Sequence, residues 1–280
     1  MSQPSWRLKV ARAQKHLSDL QEMFADYIDG HPYRAELVSP GNRHPTQWKF
    51  ILDITQEPDP SLSVVFGDFL FDMRSALDHI AVALAPRNRK YKASFPISSK
   101  DAVTKPGAAE RDAFTCKTKG MPDGAVAIIE REQPYNFSQR GGIRRGAESV
   151  DVLHALSAME NADKHRQLVL LTTTLTNPWV NIACRGSNVI TREPTISVRV
   201  DAGAELVNWR SFTHLVRYDE VDVQVVGTLH VTAKIGNYAG YEVSGSAGSV
   251  GASIVGRVNR ILDTLEPYVP RGTGLRGIVA

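Results

Sequence analysis

The stretch SLSVVFGDFLFDMRSALDHIAVALA, residues 61–85, decides how this chain is read. Leu62, Phe66, Phe69, Met73, Leu77, Ile80 and Leu84 recur at alternating three- and four-residue steps, which on an α-helix is one continuous apolar stripe. Pro60 stands before the stretch and Pro86 stops it, so a helix is predicted over 61–85. A stripe this wide needs other helices to cover it.

Working outward, Trp6, Val10, Ala13, Leu17, Leu20, Phe24 and Ile28 predict a helix over 5–29, ended by Gly30 and Pro32. Between the two helices, 33–38 reads as extended, 39–42 as a turn, and Trp48, Phe50, Leu52 and Ile54 alternate. That pattern is a hairpin inserted at 33–55. Residues 86–147 show no sustained period beyond a short apolar run at 125–129. A third helix is expected near 148–165. Past 172, Val221, Val223, Val225, Leu229, Val231, Ala233 and Ile235 form the face of a long strand. Ile254, Val258, Ile261 and Leu265 mark a last helix near 249–265. The expected class is therefore α+β: an N-terminal helical bundle with the inserted hairpin over 1–172, then a mainly antiparallel β region over 173–280 closed by a helix. The two parts form separate domains or one continuous one.

The chain has 280 residues, 42% of them apolar, which is too rich for a largely disordered protein. Basic residues exceed acidic ones by 33 − 30 = 3, a mild excess that permits a polyanionic partner without demanding one. Cys116 and Cys184 lack zinc spacing and fit a reducing compartment. The opening residues lack the plan of a signal peptide, and no run approaches the roughly 18 apolar residues of a membrane span. A cytoplasmic protein with no membrane partner is expected. No Walker loop, dinucleotide fingerprint or nucleophile elbow occurs, which argues against an ATPase, a dehydrogenase and an α/β-hydrolase.

Two polar motifs interrupt the apolar helices. The first is Arg74-Ser75-Ala76-Leu77-Asp78-His79. Arg74 and His79 lie about 140° apart around the helix axis, whereas Asp78, four residues after Arg74, shares its side and can pair with it. The segment resembles the R-x4-6-H motif of the HEPN superfamily of ribonucleases, with Ser75 where Asn or Asp is usual. The resemblance implies a helical bundle that cleaves single-stranded RNA without metal or other cofactor. Arg74 and His79 would act on the scissile phosphate at a homodimer interface, and the RNA 2′-hydroxyl would be the nucleophile.

The second motif is Asn161-Ala162-Asp163-Lys164-His165-Arg166. Asp163 continues the stripe Val152, Leu156, Met159, so it is expected largely buried on the core face and bonded to a cationic or donor partner. LRSALDH followed by NxDKHR is also similar to a pattern of uncharacterised bacterial and phage proteins, a likeness that implies no activity. Taken together, the motifs have the makeup of a phosphate-handling site. Arg74, His79, Asp163 and His165 are its candidate catalytic residues, and Lys164 and Arg166 its candidate substrate ligands. Arg140, Arg144 and Arg145, in a Gly-rich loop, would track the RNA backbone.

Two rivals stand beside this reading. Asp78, His79, His154, Asp163 and His165 could ligate a divalent metal in a helical-bundle hydrolase, although HExxH and i,i+4 His pairs are absent. Alternatively the protein is a non-catalytic binding or assembly protein whose polar motifs staple helices together.

Overall fold

The computed structural model describes residues 3–30, 33–38, 47–54, 56, 58–98, 108–139, 143–145, 148–164, 170–184, 204–210, 221–234 and 247–270. Within these, side-chain surroundings are described for 3–30, 56, 58–98, 113–136, 151–164 and 247–270. The helices are α1 (Ser5–Asp29), α2 (Ser61–Leu84), α3 (Ala108–Thr118), α4 (Asp123–Arg131), α5 (Val152–Lys164) and α6 (Ala247–Leu265). The strands are β1 (Tyr33–Val38), β2 (Gln47–Ile54), β3 (Ile143–Arg145), β4 (Glu148–Val150), β5 (Leu170–Cys184), β6 (Ala204–Arg210) and β7 (Val221–Lys234). The chain divides into two compact units. The first comprises Met1–Gln21, Pro60–Leu170 and Ala233–Ala280; the second comprises Glu22–Asp59 and Leu171–Thr232.

The first unit is a helical body centred on α2. The predicted stripe of that helix is buried along its whole length, and α2 packs on α5 and α6. Chain-end chemistry sets its limits. Pro60 accepts the first turn's bond from the Ser63 N–H. Ala85, forced extended by the proline after it, ends the helix at φ −76°, ψ 144°. Helix α1 runs antiparallel to α6: Arg7 bonds Asp263 and Glu266 near one end, and Leu17 lies on Gly251 near the other. A Cβ on Gly251 would stand 2.5 Å from Leu17 Cδ1, so the two helices come close there.

Helix α5 starts four residues later than its expected beginning at 148. Asp151 is its N-cap, with Oδ1 accepting the N–H groups of Leu153 and His154 at 2.8 and 3.3 Å. The residues before the cap, β4, pair antiparallel with β3 instead. In the second unit, β1-β2-β6 form an antiparallel sheet. Tyr33 stands opposite Ile54 and Trp48 opposite Trp209, and the β2–β6 register shifts between Phe50 and Ile51. Strands β5 and β7 make a separate two-stranded pair.

The expected α+β class is corrected by this arrangement to a helical fold. The body whose side-chain packing is described is helical, with its core drawn from α1, α2, α4, α5 and α6 and the segments between them. The last helix, expected to close the β region, buries Ile254, Val258, Ile261 and Leu265 against α2 and α5. The physical reason is that an apolar helical stripe is covered best by another helical stripe, and three of them were available. Alternation from 221 marks backbone that is extended over Val221–Lys234, but alternation says nothing about what covers the apolar face. Among the described residues, no helix is long and apolar enough to cross a membrane.

Candidate functional site

Helix α2 presents its polar residues on the two flanks of its stripe, and each flank meets different neighbours. On one flank Arg74 and Asp78 grip the backbone of a single residue. Asp78 Oδ1 accepts the Phe95 N–H at 2.9 Å, and Arg74 Nη2 donates to the Phe95 carbonyl at 2.7 Å. The two side chains also lie 3.3 Å apart as an i,i+4 ion pair. Phe95 itself is fully buried. Gln133, just after α4, continues the grip: its Nε2 donates to the Pro96 carbonyl and its Oε1 accepts the Ser98 N–H. Segment 95–98 is thus held by side chains in the way a sheet holds an edge strand.

The other flank faces α1. Asp72 is buried there and accepts from Lys9 Nζ at 2.7 Å, with Arg12 at 3.4 Å and His16 at 3.6 Å. Two cationic side chains and a histidine, one turn or so apart on α1, converge on one carboxylate. His79 is half-buried beside this group. Burial holds its imidazole below the ordinary value, Lys9 adds to the effect, and Asp78 and Asp72 oppose it. A neutral ring at physiological pH follows. Arg74 and His79 therefore look to different neighbours, as their angular separation on the helix required.

Asp163, on α5, rests against α2 at Gly67. Its carboxylate oxygens stand 2.7 and 2.8 Å from where a Gly67 Cβ would be, so only glycine leaves room for it. A largely buried carboxylate with a cationic or donor partner was expected; Asp163 is half-buried, and no ion pair to it occurs among the described residues. Among the described residues its charged neighbours are Asp68 and Glu160, which together with burial, the largest cause, raise its pKa. The neighbouring lysine is already engaged, since Lys164 pairs with the buried Glu160. Gly67 also fixes the distance between the two motifs. Along α2 it lies about 10 Å below Arg74 and about 18 Å below His79. The helices that carry the motifs touch, but Asp163 sits at a different level from Arg74 and His79.

Arg140, His165 and Arg166 lie outside the described residues. Arg144 and Arg145 fall in β3, with Ser149 and Glu148 as their register partners. Among the described residues no group of three or more His, Cys, Asp or Glu is placed to hold a metal ion.

Sequence reasoning missed two polar centres in the helical body. Arg257 of α6, buried, reaches Glu132 Oε2 at 2.9 Å and Asp151 Oδ2 at 3.9 Å, and so ties α6 to the cap of α5. Arg7 and the Trp6 indole N–H both bond Glu266. The Arg7 bond is the main reason that carboxyl is held below its ordinary value. Only residues far apart in sequence make these centres, so no local spacing could have revealed them. No family model, curated protein or solved structure matches the chain.

Proposed function

We propose that this is a binding or assembly protein, in which the two polar motifs fasten helices and segments rather than act on a substrate. The observation that carries this reading is the grip of Arg74 and Asp78 on Phe95. An arginine that must meet a scissile phosphate needs donors that a ligand can reach, and this one is 15% exposed, with Nη2 given to a carbonyl and Nη1 buried. Asp163, lodged against Gly67 among other carboxylates, likewise has the surroundings of a packing residue and would repel a phosphate. A cytoplasmic setting fits the free, exposed Cys116.

One observation favours a second reading, metal-free RNA cleavage of the HEPN type by a homodimer. His79 is half-buried with its pKa lowered, the state of an imidazole ready to accept a proton. Incubating the purified protein with labelled single-stranded RNA, with and without chelator, separates the readings. The binding reading expects intact RNA in both conditions. Cleavage that survives chelator and falls about 10²-fold or more in both Arg74→Ala and His79→Ala would overturn it. Cleavage abolished by chelator would instead point to the metal-dependent hydrolase.

A further inference from the structure

The turn that follows α2 carries four cations within six residues: Arg87, Arg89, Lys90 and Lys92. No Asp or Glu occurs anywhere between Asp78 and Asp101. Arg87 and Lys92 are exposed and Arg89 and Lys90 half-exposed, and among the described residues none of the four forms an ion pair. In their midst Tyr91 is 77% exposed, more than any other large hydrophobic side chain among the described residues. Lys92 Nζ stands 5.4 Å from the centre of its ring. Two more cations come from the end of α3, Lys117 within it and Lys119 just past Thr118. The C-terminal turn of α3 ends at Gly120, whose positive φ of 82° and missing Cβ let the backbone close on Pro86. Lys117 and Lys119 thereby reach the same end of the helical body.

The turn is also held in shape before any partner arrives. Arg89 N–H bonds the Pro86 carbonyl at 2.8 Å and Lys92 N–H bonds Arg89 at 2.9 Å. Three residues beyond Lys92, the Arg74–Asp78 grip on Phe95 pins the exit. A preformed surface loses little entropy on binding.

Cations without counter-charges select a polyanion, and an exposed aromatic face among them selects one with free rings to stack. A duplex offers phosphates but keeps its bases stacked on each other. An anionic membrane would reward apolar side chains around Tyr91, yet its exposed neighbours Arg87, Asn88 and Lys92 are all polar. We propose that the Arg87–Lys92 turn, with Lys117 and Lys119, is a docking surface for single-stranded nucleic acid, with the Tyr91 ring as its stacking platform. This rests on the binding reading above and names its partner.

Fluorescence anisotropy with labelled oligo(dT) tests it, because that strand has no 2′-hydroxyl and binding is measured apart from cleavage. The whole chain should bind at about 50 mM salt and weaken steeply towards about 200 mM. Tyr91→Ala should weaken binding about tenfold with the salt slope kept, and Tyr91→Phe should restore it. Replacing Arg87, Arg89, Lys90 and Lys92 together by Gln should flatten the salt slope by about 2.8, at about 0.7 per lost phosphate contact. Thermal unfolding of each variant checks that the fold is kept. Absence of binding by the parent chain, or binding unchanged in folded Tyr91→Ala and in the Gln variant, would overturn the proposal. So would displacement of bound oligo(dT) by phosphatidylserine vesicles but not by excess unlabelled oligo(dT). Cleavage of oligo(U) with oligo(dT) still bound would overturn the non-catalytic reading and leave this surface standing.

Discussion

Replacing Asp78 by Ala tests whether the first polar motif is structural. The change removes the acceptor of a 2.9 Å bond from the N–H of Phe95, a residue with no solvent exposure. A buried N–H left bare costs about 1–3 kcal/mol. The Arg74 pairing is lost as well; with Asp78 34% exposed, screening limits that part to about 0.3–0.5 kcal/mol. The expected loss is about 2 kcal/mol. Arg74→Ala bares the Phe95 carbonyl and should lose a similar amount. Because both side chains hold one residue, the double variant should fall short of the summed losses by about 0.5–1 kcal/mol. Asp78→Asn keeps the acceptor oxygen and should retain most of the stability. Urea unfolding, with midpoints compared at constant slope, measures all four. Single alanine variants within about 0.5 kcal/mol of the parent would refute the grip and return Arg74 to the list of free cations.

Two further substitutions probe the helical body. Arg257→Met takes the buried cation from Glu132 and Asp151, leaving Glu132 only the exposed Arg131 at 3.3 Å, and should cost about 3–5 kcal/mol in urea unfolding; a loss under about 1 kcal/mol would mean that water reaches the pair. Asp163→Asn should stabilise the protein near neutral pH. The folded pKa of Asp163 lies above its ordinary 3.8, so the folded state holds that proton more tightly than the unfolded chain does. Its charge therefore costs stability above the raised value, and the cost fades as pH falls through that value towards 3.8. The gain in melting temperature should shrink over the same window, and a destabilised Asp163→Asn at neutral pH would reveal a cation at that carboxylate.

Much of the helical body was legible because its signal is local. The stripes of α1, α2 and α6 repeat within single segments, and the structure buries Trp6, Val10, Leu17, Phe66, Met73, Ile254 and Leu265 as the spacing requires. Helices α3 and α4 escaped notice since they span only 11 and 9 residues, divided by Gly120 and Pro122, too few turns for a period to emerge. Asp163 was expected largely buried with a cationic or donor partner; it is half-buried against Gly67, and among the described residues its charged neighbours are carboxylates. Its spacing fixes a direction, while the fit depends on the missing Cβ of Gly67, a feature of another helix. The Phe95 grip left no trace in the sequence, because side chains that bond a backbone can serve any residue in it.

An Arg followed by an acid and a His on one helix is a pattern that two different demands produce. On α2 the pair that acts as a unit is Arg74 with Asp78, four residues apart and on one side, since both reach the same peptide segment. His79, one residue further, has rotated onto the flank that faces Lys9 and Asp72. Fastening needs the four-residue spacing; the five-residue spacing comes along with it once a His follows the Asp. What Arg74 and Asp78 fasten also matters, because Phe95 ends the segment that begins at the basic turn. The Arg74–Asp78 pair thus pins the exit of the Arg87–Lys92 turn, the surface proposed above to dock single-stranded nucleic acid.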